Sequence, residues 1–154
     1  MKNLKTYKQL FEYLVVELED CDYNLIKKEL ENGADVNQIL DNYFETPLTF
    51  AIRTYSINNQ RECINIIDLL LEYDADVNKH DDLGNTPLII SIDTNFDLMC
   101  KLIDAGADWN LPDYDGDYFI ELIDDDDIKK SIIEKYPEKY EEYKKWEKAK
   151  EFNL

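Results

Sequence analysis

Apolar residues recur at helical spacing along most of the chain. Leu10, Phe11, Leu14, Val15 and Leu18 share one face of an N-terminal segment, and Leu25, Ile26 and Leu30 form the next stripe. Ile66, Ile67, Leu70 and Leu71 follow, then Leu98, Met99, Leu102 and Ile103, then Ile128, Ile132 and Ile133. Residues recurring three and four apart line one side of an α-helix, so each stripe predicts a helix with one buried face. Thr46-Pro47 and Thr86-Pro87 predict helix starts, because threonine caps an orphan backbone N–H and proline at the first helical position has no N–H to lose. Gly33 and Gly106 predict helix stops, since glycine adopts the left-handed conformation that closes a helix. Asp74 stands in the same place and is expected to cost about 1 kcal/mol there, as its Cβ disfavours that conformation.

These signals repeat. Gly33-Ala34-Asp35-Val36-Asn37 recurs as Asp74-Ala75-Asp76-Val77-Asn78 and as Gly106-Ala107-Asp108-Trp109-Asn110, so the asparagines stand 41 and 32 residues apart. Thr46-Pro47-Leu48 recurs as Thr86-Pro87-Leu88, and Tyr118-Phe119-Ile120 follows Gly116 as Thr86-Pro87-Leu88 follows Gly84. Asp81-Asp82-Leu83-Gly84-Asn85-Thr86-Pro87-Leu88 carries a complete hairpin-to-helix signature, and Asp113 to Gly116 carries its first half. The pattern resembles the ankyrin repeat family over roughly residues 20 to 136.

The resemblance implies an all-α solenoid of about four helix pairs joined by short hairpin loops, with a further C-terminal capping helix. Residues 1–154 are expected to form one domain: an N-terminal capping repeat at 1–37, a repeat with an insertion at 38–78, a repeat at 79–110, a divergent repeat at 111–136 and a helix at 137–154. Phe44 replaces a family glycine, and the hairpin from Asn37 to Thr46 is one residue longer than the next. The Thr46 to Asn78 interval exceeds Thr86 to Asn110 by eight residues, which places an insertion near Tyr55 to Glu62 and predicts a longer turn between two helices. Thr49 and Ile89 replace the family's histidine, so its hydrogen bond is expected to be missing. Tyr118 to Ile123 is read as a first helix, Asp124 to Asp127 as a turn, and Pro137 as a stop before a helix carrying Tyr140, Tyr143 and Trp146 on one side, with Glu141 paired to Lys145.

Composition sharpens the picture. Seventeen Lys and Arg against 35 Asp and Glu give a net charge of −18. Such a charge repels nucleic acid and anionic lipid and attracts a basic protein surface. The hydrophobic content of 44% suffices for a core. Cys21, Cys63 and Cys100 are odd in number and widely spaced, so they read as buried or half-buried thiols of a reducing compartment. No signal-peptide core and no run of roughly 20 apolar residues is present in the sequence, so a cytoplasmic protein with no membrane partner is expected.

Candidate chemistry is sparse. His80 is the one histidine, no nucleophile motif accompanies it, and no phosphate loop or zinc-ligand spacing occurs, so an enzyme is not expected and neither is a cofactor. Asp113 to Asp124 imitates a calcium-binding loop at positions 1, 3, 5, 9 and 12. Tyr118 stands at the glycine of position 6, however, and the last ligand is a short aspartate. Trp109, in a valine slot, is expected in the core, and the Tyr140, Tyr143 and Trp146 face is expected to pack as a cap.

In proteins this chain resembles, partners are held by hairpin tips and by the exposed faces of first helices. Carried over, those positions are Leu40, Asn42, Tyr43, Glu45, Arg53 and Thr54; then His80, Asp82, Leu83, Asn85, Asp93 and Thr94; then Tyr114, Asp115 and Asp117, with Asp125 a further candidate. Aromatic and apolar anchors among carboxylates suit a basic protein partner. The expected function is a protein-protein interaction module, monomeric when free, acting as a stoichiometric inhibitor or immunity protein of a nucleic-acid-handling enzyme or toxin. The competing readings are a scaffold, adaptor or self-associating subunit using the Tyr140 to Trp146 helix, and a calcium-responsive binder using Asp113 to Asp124.

Overall fold

The computed structural model describes residues 23–39, 45–58, 61–81 and 83–152. Eight α-helices lie among them: α1 (Tyr23–Glu31), α2 (Pro47–Asn58), α3 (Arg61–Glu72), α4 (Pro87–Ile90), α5 (Phe96–Asp104), α6 (Phe119–Leu122), α7 (Asp126–Lys135) and α8 (Pro137–Phe152). A 3₁₀ turn over Ser91–Asp93 continues α4. The N-terminal face from Leu10 to Leu18, Cys21 and the hairpin at 40–44 lie outside the described residues. The helices stack as the expected solenoid. First helices follow one another, α2 against α4 and α4 against α6, while α1 packs on α3.

The starts and stops read in the sequence are visible as bonds. Thr86 Oγ1 accepts the Ile89 N–H at 3.2 Å, with Pro87 at the head of α4. Thr46 Oγ1 accepts the Thr49 N–H at 3.1 Å, and Thr49 Oγ1 in turn accepts the Thr46 N–H at 2.8 Å. A threonine thus completes a reciprocal capping arrangement of its own at the position where the family's histidine, and with it that residue's hydrogen bond, is missing. At the three stops the bonding is the same. Ala34, Ala75 and Ala107 donate to Glu29, Leu70 and Leu102 carbonyls at 3.0 Å, and the residue before each alanine donates to Leu30, Leu71 or Ile103. Asp74 is left-handed with φ 61°, as expected from its register with Gly33 and Gly106.

The asparagine ending each motif ties one repeat to the next. Asn37 Oδ1 accepts the Asp76 N–H at 2.7 Å, and Asn78 Oδ1 accepts the Asp108 N–H at 2.9 Å. Its amide Nδ2 donates back to the Asp74 carbonyl from Asn37 and to the Gly106 carbonyl from Asn78. The ladder ends at Asn110, whose Oδ1 is buried without a hydrogen-bond partner.

The eight-residue insertion does not lengthen a turn. α2 has 12 residues against 7 for α4 with its 3₁₀ turn, and α3 has 12 against 9 for α5. Five extra residues in one helix and three in the other account for all eight, leaving two residues between the helices in both repeats. Among the added residues, Thr54 and Cys63 are buried, at 6% and 1% exposure, and Tyr55 packs against the core, so the longer helices cover part of what they add.

Asp125 is a helix cap where the sequence predicted only a turn. Its carboxylate accepts the Asp127 and Ile128 N–H groups at 2.9 and 3.0 Å, and Asp126 and Asp127 occupy the first turn of α7. Acids belong there because the helix N-terminus carries partial positive charge. Trp109 is core, 2% exposed, with its ring 5.6 Å from Phe119 and 6.5 Å from Tyr136. α8 closes the end: Tyr143 is buried, Trp146 meets Tyr118 edge-on at 4.6 Å, and Tyr143 donates to Glu121 Oε1 at 2.9 Å. Glu121 Oε2 also accepts the Tyr118 N–H at 3.1 Å, so one carboxylate caps α6 and anchors α8. Glu141 pairs with Lys144, one residue earlier than expected.

Candidate partner-binding surface

Two hairpins have the same internal construction. Asp81 Oδ1 accepts the Leu83 and Asn85 N–H groups at 2.9 and 2.8 Å, and Asp113 Oδ1 accepts those of Asp115 and Asp117 at 3.0 and 2.9 Å. The Asp81 N–H donates to the Asn85 carbonyl and the Asp113 N–H to the Asp117 carbonyl, at 2.9 and 3.0 Å. This arrangement turns the chain sharply and leaves Leu83 and Tyr114 clear of the body. Leu83 is 61% exposed and Tyr114 75%. They are the most exposed large apolar side chains among the described residues. Gly84 holds the two tips together: at φ 78° it leaves room that a Cβ would take from Tyr114, 2.5 Å from Cδ1 and 2.7 Å from the backbone N.

The residues carried over from the family fall into three groups. Leu83, Asp93, Tyr114, Asp115 and Asp117 are exposed, while His80, Asn85 and Thr94 are half-buried beside them. Glu45 and Thr54 are buried, and Arg53 is engaged: its Nε donates to Glu45 Oε1 at 2.5 Å and its Nη2 to Asp81 Oδ2 at 2.7 Å. That fork joins α2 to the following hairpin. Leu40, Asn42, Tyr43 and Asp82 lie outside the described residues, and Asp125 is spent as the α7 cap.

The charge is concentrated where these tips stand. Between Cys63 and Asp127 the chain has 18 acidic residues and two lysines. Both lysines are committed, Lys101 to Asp68 and Lys79 to the Asn37 carbonyl. The signal was in the sequence as a skew along the chain, invisible in the net charge alone. Asp113 serves its hairpin as Asp81 does, and no three His, Cys, Asp or Glu side chains among the described residues group to hold a metal ion. Shallow hollows of about 300 Å³ lie beside Tyr23, Asp68 and Glu72 and beside Phe96, Asp125 and Ser131. Neither brings a nucleophile to a base. No helix among the described residues is long and apolar enough to cross a membrane.

A sequence model of ankyrin repeats matches residues 10–113 in three copies, and the chain belongs to that family. Ankyrin repeats mark a protein-interaction module. Among relatives, the chain is 35% identical over 109 residues to ankyrin repeat protein R664 of Acanthamoeba polyphaga mimivirus, covering 70% of this chain and 65% of that protein. It is 38% identical over 79 residues to protein L91 of the same virus, 49% of this chain and 12% of that one. It is 35% identical over 77 residues to human protein phosphatase 1 regulatory subunit 27, 49% of this chain and 48% of that one. The chain thus spans less than two thirds of the length of each.

Proposed function

We propose that the chain holds a basic protein by the tips of its second and third hairpins, as a stoichiometric binder that carries out no reaction. The observation that carries this reading is the pair of exposed anchors, Leu83 and Tyr114, on adjacent tips in a stretch of 18 acids and two committed lysines. Apolar anchors supply affinity by desolvation, and surrounding carboxylates steer a cationic surface onto them while rejecting acidic competitors. A surface this acidic also competes with nucleic acid for a cationic groove, which favours inhibition of a nucleic-acid-handling enzyme or toxin in the cytoplasm. The name of the phosphatase 1 regulatory subunit supports a role in controlling an enzyme by holding it. Tyr143 is buried and Trp146 meets Tyr118 within the chain, which favours this reading over self-association through that helix. The test is capture on immobilised protein at low salt, wild type against Leu83→Ala/Tyr114→Ala. A basic protein retained by the wild type, released by salt and lost with the double variant supports the reading. Equal capture by both proteins, or release that ignores salt, refutes it.

A further inference from the structure

The repeats differ at one position in a way that points outward. Counting from the threonine that starts each first helix, Arg53 stands seven residues after Thr46, and Asp93 stands seven after Thr86. Arg53 bridges Glu45 and Asp81, the latter with a fully buried side chain. Asp81 also receives the Asn85 amide at 3.3 Å. One repeat later the hairpin carboxylate is Asp113, held by the same backbone bonds, but Asp93 stands in the arginine's place and Asp117, which has no side-chain amide to donate, stands in that of Asn85. A site that is neutralised in one repeat is therefore anionic in the next. It adjoins the exposed Tyr114, and its carboxylates are not grouped closely enough to chelate a metal ion.

We infer that a partner arginine fills this position, doing from outside what Arg53 does from inside, with its guanidinium between Asp93 and Asp113. This rests on the basic-partner reading and sharpens it to one side-chain chemistry. The molecule holds its own example of a guanidinium at the equivalent register, between Glu45 and Asp81, whose counterparts one repeat later are Asn85 and Asp113. Arginine is specified over lysine because Arg53 uses two separate nitrogens on carboxylates from two elements, which a planar fork allows and a single ammonium does less well.

The test titrates the purified protein with tri-arginine and tri-lysine peptides, following backbone amide shifts by NMR. Tri-arginine is expected to shift the amides of Asp93 and Asp113 to Asp117 and to bind several-fold tighter than tri-lysine. Asp93→Arg, which supplies the cation from within the chain, is expected to weaken tri-arginine by about tenfold. Glu72→Arg, the same charge change on exposed α3 surface, should weaken it by less than about threefold through general charge alone. Asp93→Asn, which places no new side chain in the site, is expected to fall between. If Asp93→Arg and Glu72→Arg weaken binding equally, or the two peptides bind alike at the tips, the arginine site is overturned while the basic-partner reading stands. Absence of tip shifts with either peptide overturns both.

Discussion

Substituting alanine for Gly84 separates two costs that usually arrive together. Gly84 has φ 78° and Gly116 has φ 89°, so a Cβ at either pays the left-handed penalty of about 1–2 kcal/mol. At Gly116 nothing lies within 4 Å of the added carbon. At Gly84 it meets Tyr114 at 2.5 Å from Cδ1, 2.7 Å from Cγ and 2.7 Å from the backbone N. The ring can rotate, but the nitrogen cannot move unless the third hairpin moves with it. Overpacking of this kind adds about 1–3 kcal/mol. Gly84→Ala should therefore cost about 2–5 kcal/mol in total, the sum of the conformational and steric ranges. With a urea slope of about 2 kcal/mol/M, its midpoint should fall by about 1–2.5 M, against about 0.5–1 M for Gly116→Ala. Equilibrium urea unfolding followed by circular dichroism measures both. Equal midpoints for the two variants would refute the reasoning, because they would show that the tips do not rest on each other.

Three further outcomes follow from bonds already described. Arg53→Met should cost about 3 kcal/mol by removing the guanidinium that pairs with the fully buried Asp81 carboxylate, and an unchanged melting curve would show that the fork is dispensable. Asp74→Gly should stabilise by about 0.5–1 kcal/mol, the left-handed strain relieved less the entropy added to the unfolded chain; a lower melting temperature would count against it. Burial, then the hydrogen bond to Glu121, raises the Tyr143 phenol above its usual value, and burial, then Asp104, does the same for Tyr136. Because both folded values lie above the unfolded value of about 10, the stability they confer is intact below that pH and is lost as pH rises through the folded values. Urea midpoints at neutral and strongly alkaline pH should diverge less in Tyr143→Phe than in wild type, and equal divergence would remove Tyr143 from the account.

The sequence disclosed the period, the helix starts at Thr46 and Thr86, the left-handed Asp74 and the packing of Trp109, because each depends on a few neighbouring residues. It misplaced what depends on neighbours across the stack. Glu45 and Thr54 fall at family contact positions, yet the structure buries them. The insertion near Tyr55 read as a turn because length alone does not say whether added residues find a helix face to cover them. Asp125 read as loop charge because four consecutive aspartates hide which of them turns its carboxylate onto the backbone. The exposed tips were legible as positions, while the pairing of Gly84 with Tyr114 depends on two hairpins meeting in space through residues 30 apart in sequence.

Asn110 is the last rung of the asparagine ladder among the described residues. Asn37 and Asn78 each receive an N–H from the following unit, but after α7 the chain turns through Tyr136 and Pro137 directly into α8, and Asn110 Oδ1 is left unanswered. A silent carbonyl of this kind costs about 1–3 kcal/mol, and it belongs to the last position rather than to a particular residue. Were the segment 79–110 duplicated in tandem, the original Asn110 would gain its donor and the new terminal copy would inherit the vacancy. Lengthening the protein by whole units would thus leave this one defect unmultiplied, so the bonding pattern sets no penalty on growth and the cap alone fixes the count.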